Sequence, residues 1–145
     1  MNWKDEAMEK LRRYSSMQQA AHNIPEEIRL LEQDAIALRS PGLRTAVKSS
    51  GGRREDALLS NIVKRQELEN ALDQTRRWLH CTDRALRCLS AEERLILQRM
   101  FIYPENGCVQ QLCQELDVEQ STVYRKRDKA LEKFTISLYG ATPLV

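Results

Sequence analysis

Basic side chains are concentrated near the end of this 145-residue chain. The segment from Gln120 to Lys133 holds five of them against two acids, a net charge of +3, whereas the whole chain carries only +2. Lysine and arginine in such a cluster can bind phosphate groups, and polar residues beside them can contact the edges of bases. The same charges are also usual on the solvent side of a helix, so the cluster alone does not decide its role.

Residue pairs that could support catalysis are poorly placed. His80 and Cys81 are adjacent, and adjacent residues of a helix point about 100° apart, so they are not expected to act as a nucleophile and its base. Glu92 and Glu93 stand where a helix should begin, and there they complement its dipole. The sequence has no nucleophile elbow and no phosphate-binding loop. We therefore predict that the protein is not an enzyme.

The cysteines and histidines do not have the spacing of a metal site. No Cys-x-x-Cys pair is present, and neither His22 nor His80 is placed to complete a zinc site. We expect the cysteines to serve as small apolar residues in a reducing cytosol, and we predict no cofactor and no metal. The four are Cys81, Cys88, Cys108 and Cys113.

The composition predicts an all-α protein with a core. Hydrophobic residues make up 41% of the chain and charged residues 30%, while glycine, proline and aromatic residues are few. No apolar run approaches the roughly 18 residues of a membrane helix. Charged residues directly after Trp3 also argue against a signal peptide. We therefore expect a cytoplasmic protein that does not bind membranes.

Two long segments of helical periodicity precede residue 90. The first runs from about Asn2 to Arg39, and Pro25 predicts either two helices or one kinked helix there, with Asn23 as a possible cap of the second. The second runs from about Glu55 to Leu89. Between them, the stretch from Ser40 to Arg54 is rich in glycine, proline and serine, which predicts a flexible loop.

The second segment has apolar residues every three and four positions, as in the seam of a coiled coil. Polar residues interrupt this seam, and such residues often fix register or oligomeric state. The pattern allows either an intramolecular antiparallel hairpin or pairing with a second copy of the chain. Residues 1–89 are thus predicted to form a helical hairpin or coiled coil used for oligomerisation. The seam comprises Leu58, Asn61, Arg65, Leu68, Leu72, Thr75, Leu79, Thr82, Leu86 and Leu89.

A separate C-terminal domain, residues 90–145, is predicted to begin with a capping box. Ser90 and Glu93 have the spacing of that motif, so a helix should start near Ala91 and end before Pro104 and Gly107.

A helix-turn-helix pattern follows in "CVQQLCQELDVEQSTVYRKRDKALEKF". Cys113 supplies the small residue that a close helix crossing needs, and Asp117 can adopt the left-handed conformation of the turn. Val118 should fill the corner between the helices. Lys126 stands where an apolar residue is usual, and we expect its stem to lie along the core while its amine reaches water. The two apolar faces are Val109, Leu112, Cys113 and Leu116, then Val123, Ala130, Leu131 and Phe134.

The segment "LSAEERLILQRMFIY…VQQLCQELDVEQSTVYRKRDKALEKF" resembles region 4 of bacterial sigma factors. The similarity covers about Leu89 to Phe134 and includes the Leu-Ser-x-x-Glu-Arg start and the Lys-Ala-Leu-x-Lys-Phe end. The helical N-terminal half, joined to such a domain, is similar to phage late-gene transcription activators of the ArpU/RinA type. The resemblance implies a regulator in the cytoplasm of a bacterial host cell. It also implies double-stranded DNA and host RNA polymerase as partners, and the seam described above predicts a second copy of the chain as a further partner.

The resemblance further implies which residues contact DNA. The second helix of the pair would enter the major groove, with Gln120, Ser121 and Arg125 at base-reading positions. Glu119 stands where a capping serine or threonine is common in sigma factors. The neighbouring residues expected to assist, mainly at the phosphate backbone, are Thr122, Tyr124, Lys126, Arg127 and Lys129.

Two other functions fit the same combination of a seam and a basic helix. A phage small terminase subunit also joins a DNA-binding helical domain to an oligomerising hairpin. A helical assembly protein with a degenerate helix-turn-helix is the third hypothesis.

Overall fold

The computed structural model describes residues 2–39 and 51–140, and within these ranges the protein consists of helices and their short connections, without strands. This confirms the predicted all-α class. In chain order the helices are α1 (Trp3–Arg12), α2 (Tyr14–Arg39), α3 (Gly51–Arg87), α4 (Ala91–Leu97), α5 (Cys108–Leu116) and α6 (Gln120–Tyr139), with a π-helical segment (Gln98–Ile102) directly after α4.

The chain divides into two compact units. We call Met1–Gln18 with Trp78–Val145 the larger unit, and Gln19–Arg77 the hairpin unit. This division differs from the predicted boundary after residue 89, because α1 and the end of α3 share their apolar core with the C-terminal helices.

The core of the larger unit brings together side chains that are distant in sequence. Asn2 caps α1 through a 2.9 Å hydrogen bond from the Asp5 amide, and Ala7 and Leu11, one turn apart, are then buried against the C-terminal helices. Burial of these apolar side chains stabilises the unit through the hydrophobic effect. The buried members of this core are Ala7, Leu11, Ala85, Leu86, Leu89, Leu97, Phe101, Ile102, Ala130, Leu131 and Phe134.

The N-terminal segment breaks at Arg13, and Pro25 lies inside α2. The predicted helix start at Asn23 is therefore wrong. Proline removes one backbone donor, which normally breaks a helix. Here the partly buried stripe of α2 continues from Ile24 to Ile28 across the proline, so packing of that face maintains the helix.

Helix α3 begins at Gly51, four residues before the predicted start at Glu55. Residues 51–54 are therefore helical, and the rest of the predicted loop, residues 40–50, lies outside the described ranges. Glycine destabilises a helix interior through its backbone entropy, and at the first residues of a helix this cost falls on few neighbours. Arg54 Nε also donates a 2.6 Å hydrogen bond to the Leu38 carbonyl, which ties the first turn of α3 to α2.

The hairpin unit is an intramolecular antiparallel pair. Arg54 bonds to Leu38, and Asn61 Nδ2 donates to the Leu31 carbonyl at 2.8 Å, so residue numbers fall along α2 as they rise along α3. Asn61 is only 6% exposed, and its Oδ1 accepts a 2.8 Å bond from Arg65 Nε. The two polar seam residues therefore form a hydrogen-bonded network that fits one register of the hairpin. Pairing with a second copy stays a prediction.

Candidate nucleic-acid interface

Helices α5 and α6 pack on a small core of their own. Leu112 of α5 and Val123 of α6 are fully buried there together with Ile96 of α4. Cys113 and Val118 are partly buried against the same cluster, as expected for the small residue at the crossing and the residue at the corner. The packing sets the direction in which α6 leaves the turn.

The turn between the two helices depends on Asp117. Its backbone is left-handed, with φ 53° and ψ 52°, and no other non-glycine residue in the described ranges has a positive φ. The Val118 amide closes the turn by donating to the Cys113 carbonyl at 3.1 Å. Aspartate tolerates this conformation better than most residues, which agrees with its predicted place in the turn.

The N-terminus of α6 is open. Glu119 occupies the cap position, but its side chain makes no capping hydrogen bond, and the first turn contains no acid. The Thr122 and Val123 amides bond to the Glu119 carbonyl, at 3.0 and 3.2 Å. The positive end of the α6 dipole therefore has no side-chain cap.

A polar strip runs along the outer face of α6. Ser121, Arg125 and Lys129 are exposed and follow one another at intervals of four residues, and Thr122 is half-buried beside them. We call Ser121, Thr122, Arg125 and Lys129 the reading strip. Gln120 is exposed at the end of the helix next to it. Arg125 Nη2 lies 3.5 Å from Thr122 Oγ1, at the limit of a hydrogen bond.

One flank of the strip is held by α4. Lys126 forms an ion pair with Glu92, and Lys133, two turns further along α6, pairs with Glu93 at 3.1 Å. The predicted burial of the Lys126 stem is consistent with the 37% exposure of its side chain, but the amine meets a carboxylate instead of only water. This contact accounts for a lysine at a position where an apolar residue is usual.

Glu93 also stabilises the start of α4. The Ser90 amide donates to Glu93 Oε1 at 3.0 Å and the Glu93 amide to Ser90 Oγ at 3.2 Å, so the predicted capping box is present. Burial alone would raise the pKa of Glu93, but the hydrogen bonds from Ser90 and Lys133 hold it below the ordinary value of 4.5.

The opposite flank is held by α1 and by α6 itself. Arg127 pairs with Asp128 at 2.9 Å, and its guanidinium lies 5.0 Å from the centre of the Tyr124 ring. Asp128 also meets Lys4 of α1 at 3.5 Å. Tyr124 is half-buried, so it packs beneath Arg127 rather than standing free. Tyr124 and Arg127 therefore border the reading strip and are not part of it.

The eight residues predicted to contact DNA thus separate into two groups. Ion pairs balance the charges of Lys126 and Arg127, and Arg125 and Lys129 lie in no ion pair among the described residues. The charge available to a phosphate backbone is therefore smaller than the segment total of +3 indicates. The first group lies in the reading strip or is exposed next to it, and it comprises Gln120, Ser121, Thr122, Arg125 and Lys129. The second group flanks the strip and comprises Tyr124, Lys126 and Arg127.

Sequence reasoning missed two charged residues of this surface. The sequence indicates a role for Glu92 only at the helix dipole, and it does not connect Lys4 with this surface. The available signal for Glu92 is Lys126 itself, since a lysine at a usually apolar position has an ammonium group that an acid on a neighbouring helix can pair with. The identity of that acid required the packing of α4 on α6, because 34 residues separate the two.

Groups that could carry other chemistry do not assemble in the described part of the chain. No three histidine, cysteine or acidic residues in these ranges lie close enough to share a metal ion. In the same ranges, no helix is both long and apolar enough to span a bilayer. No protein-family model, curated protein or solved structure matches the chain.

Proposed function

We propose that the protein is a sequence-specific transcriptional regulator that binds double-stranded DNA with α6 in the major groove. The supporting observation is the exposed polar reading strip at the open N-terminus of α6, which α5 and the Asp117 turn hold away from the core. An α-helix with its side chains is about 10–12 Å wide, which fits a major groove about 12 Å across.

Each residue near the start of α6 has a chemistry suited to DNA. Gln120 can make paired hydrogen bonds to adenine, and Arg125 can do so with guanine. The Ser121 hydroxyl can donate or accept at a base edge. Lys129, one turn beyond Arg125, fits the phosphate backbone. Since only Arg125 and Lys129 in the strip are charged, we expect selective binding to depend more on base contacts than on bulk charge.

We further propose that the regulator acts as a homodimer through the hairpin unit. Five large apolar side chains of this unit are exposed to solvent. A second copy would cover them and would place two α6 helices on one DNA site. These residues are Leu30, Ile36, Leu59, Ile62 and Val63.

The class of regulator rests on the sequence resemblance. On that basis we propose an activator of phage or prophage late genes that works beside host RNA polymerase in the bacterial cytoplasm.

Selection from random DNA duplexes tests the proposal. The purified protein should enrich one motif, and a motif with two-fold symmetry would support the dimer. Absence of an enriched motif would refute the regulator. The mass of the protein in solution distinguishes a regulator from a small terminase subunit. A ring of eight or more copies would support DNA packaging and contradict a dimeric regulator.

A further inference from the structure

An open groove between α4 and α6 borders the reading strip and contains three lysines. Glu92 holds Lys126 and Glu93 holds Lys133, so two acids of α4 each occupy one lysine of α6. The groove is lined by Ser90, Glu92, Glu93, Ile96, Lys126, Lys129 and Lys133.

Lys126 is placed to contact either Glu92 or a DNA backbone. It directly follows Arg125, so when α6 lies in a groove of DNA the ammonium group stands beside the strip, at the level of the bordering phosphates. Its side chain is 37% exposed and that of Glu92 is 41% exposed, so both partners are open to exchange with solvent and with other ions.

We propose that Glu92 lowers the affinity of the protein for DNA by competing with a backbone phosphate for Lys126. This inference rests on the proposed DNA-binding function. While the carboxylate holds the ammonium group, Lys126 adds no net charge to the surface, and the carboxylate itself repels an approaching phosphate. Non-selective binding, which depends on charge, is thereby limited, and selective binding depends more on Arg125 and its neighbours.

The expected size of the effect follows from the exposure of the pair. A partly exposed ion pair contributes about 1 kcal/mol at most, so release of Lys126 should tighten binding about fivefold. The protein should then contact one more phosphate, through Lys126. The slope of log affinity against log salt concentration should therefore steepen by about 0.9.

Glu93 provides a matched control on the same helix. Glu93→Gln removes the same charge one residue away, and glutamine also serves at this position of a capping box. Its partner Lys133 lies two turns beyond Lys126, so its release should affect DNA affinity less than release of Lys126.

A double-mutant cycle on a random-sequence duplex at low salt tests the competition. Glu92→Gln should tighten binding about fivefold, and Lys126→Gln should weaken it, because it leaves the Glu92 carboxylate unpaired beside the phosphates. In the Glu92→Gln background, Lys126→Gln should remove the whole gain. Thermal unfolding of each variant shows whether α4 remains folded.

Two results would overturn the inference. One is a Glu92→Gln variant that binds no more tightly than Glu93→Gln. The other is a double variant, Glu92→Gln with Lys126→Gln, that binds as tightly as Glu92→Gln alone. If neither the wild type nor any variant bound a duplex, both the proposed function and this inference would be refuted. Binding without the Glu92 effect would overturn the inference alone.

Discussion

Two buried threonines in the larger unit should respond oppositely to the same substitution. Thr82 of α3 is fully buried, and its hydroxyl finds no hydrogen-bond partner among the described residues. Thr135 of α6 is 2% exposed, but its hydroxyl donates to the Leu131 carbonyl at 2.8 Å. Valine has nearly the shape of threonine without the hydroxyl, so each substitution isolates the free energy of that group.

The magnitudes follow from these two environments. A buried, unpaired hydroxyl costs about 1–3 kcal/mol, so Thr82→Val should raise the free energy of unfolding by about 1 kcal/mol and the melting temperature by about 3 °C. A satisfied hydrogen bond contributes about 0.5–1.5 kcal/mol, so Thr135→Val should lower the free energy of unfolding by about 1 kcal/mol.

Urea unfolding followed by circular dichroism measures both variants against the wild type. The two midpoints should move in opposite directions while the slope of the transition stays constant. A Thr82→Val variant that is destabilised as much as Thr135→Val would refute the reasoning, because it would show that the Thr82 hydroxyl has a partner.

Two further predictions concern the stability of the hairpin unit and the loss of stability at alkaline pH. Asn61→Ala should lower the free energy of unfolding by about 1–3 kcal/mol, because it removes both hydrogen bonds of the buried Asn61 side chain. In the same urea titration, Ala at the exposed Asn70 should change the free energy of unfolding little. Burial and the hydrogen bond to Asp83 raise the pKa of Tyr14 above its ordinary value of 10.0. The unfolded chain therefore loses this proton first, and stability should be retained below pH 10.0 and fall as the pH rises beyond it. Tyr14→Phe should reduce that fall in unfolding titrations, and an identical pH dependence in both proteins would contradict the assignment.

Local signals predicted the parts of the site that depend on backbone geometry. Three features each follow from a residue type and its near neighbours: the Asp117 turn, the capping box at Ser90 and the partial burial of Cys113 and Val118. Conformational preferences and hydrogen bonds over three or four residues determine such features, so one sequence is sufficient to find them.

Features that depend on tertiary packing could not be predicted in this way. Pro25 is a local signal for a helix break, but the packed face of α2 overrides it. The ion pair of Lys126 with Glu92 joins residues far apart in the chain, and so does the core that contains both Leu11 and Phe134. Periodicity shows which face of a helix is buried, but it does not show which other helix buries it.

Arg125 provides the most direct test of DNA recognition by α6. Binding of Arg125→Ala should be measured on the duplex selected by the wild type and on a scrambled duplex of equal length, with Arg76→Ala as a control for an exposed arginine on α3. We predict that Arg125→Ala loses about 1–3 kcal/mol of the preference for the selected duplex, with an unchanged circular dichroism spectrum, while Arg76→Ala keeps it. An undiminished preference in Arg125→Ala would contradict the account.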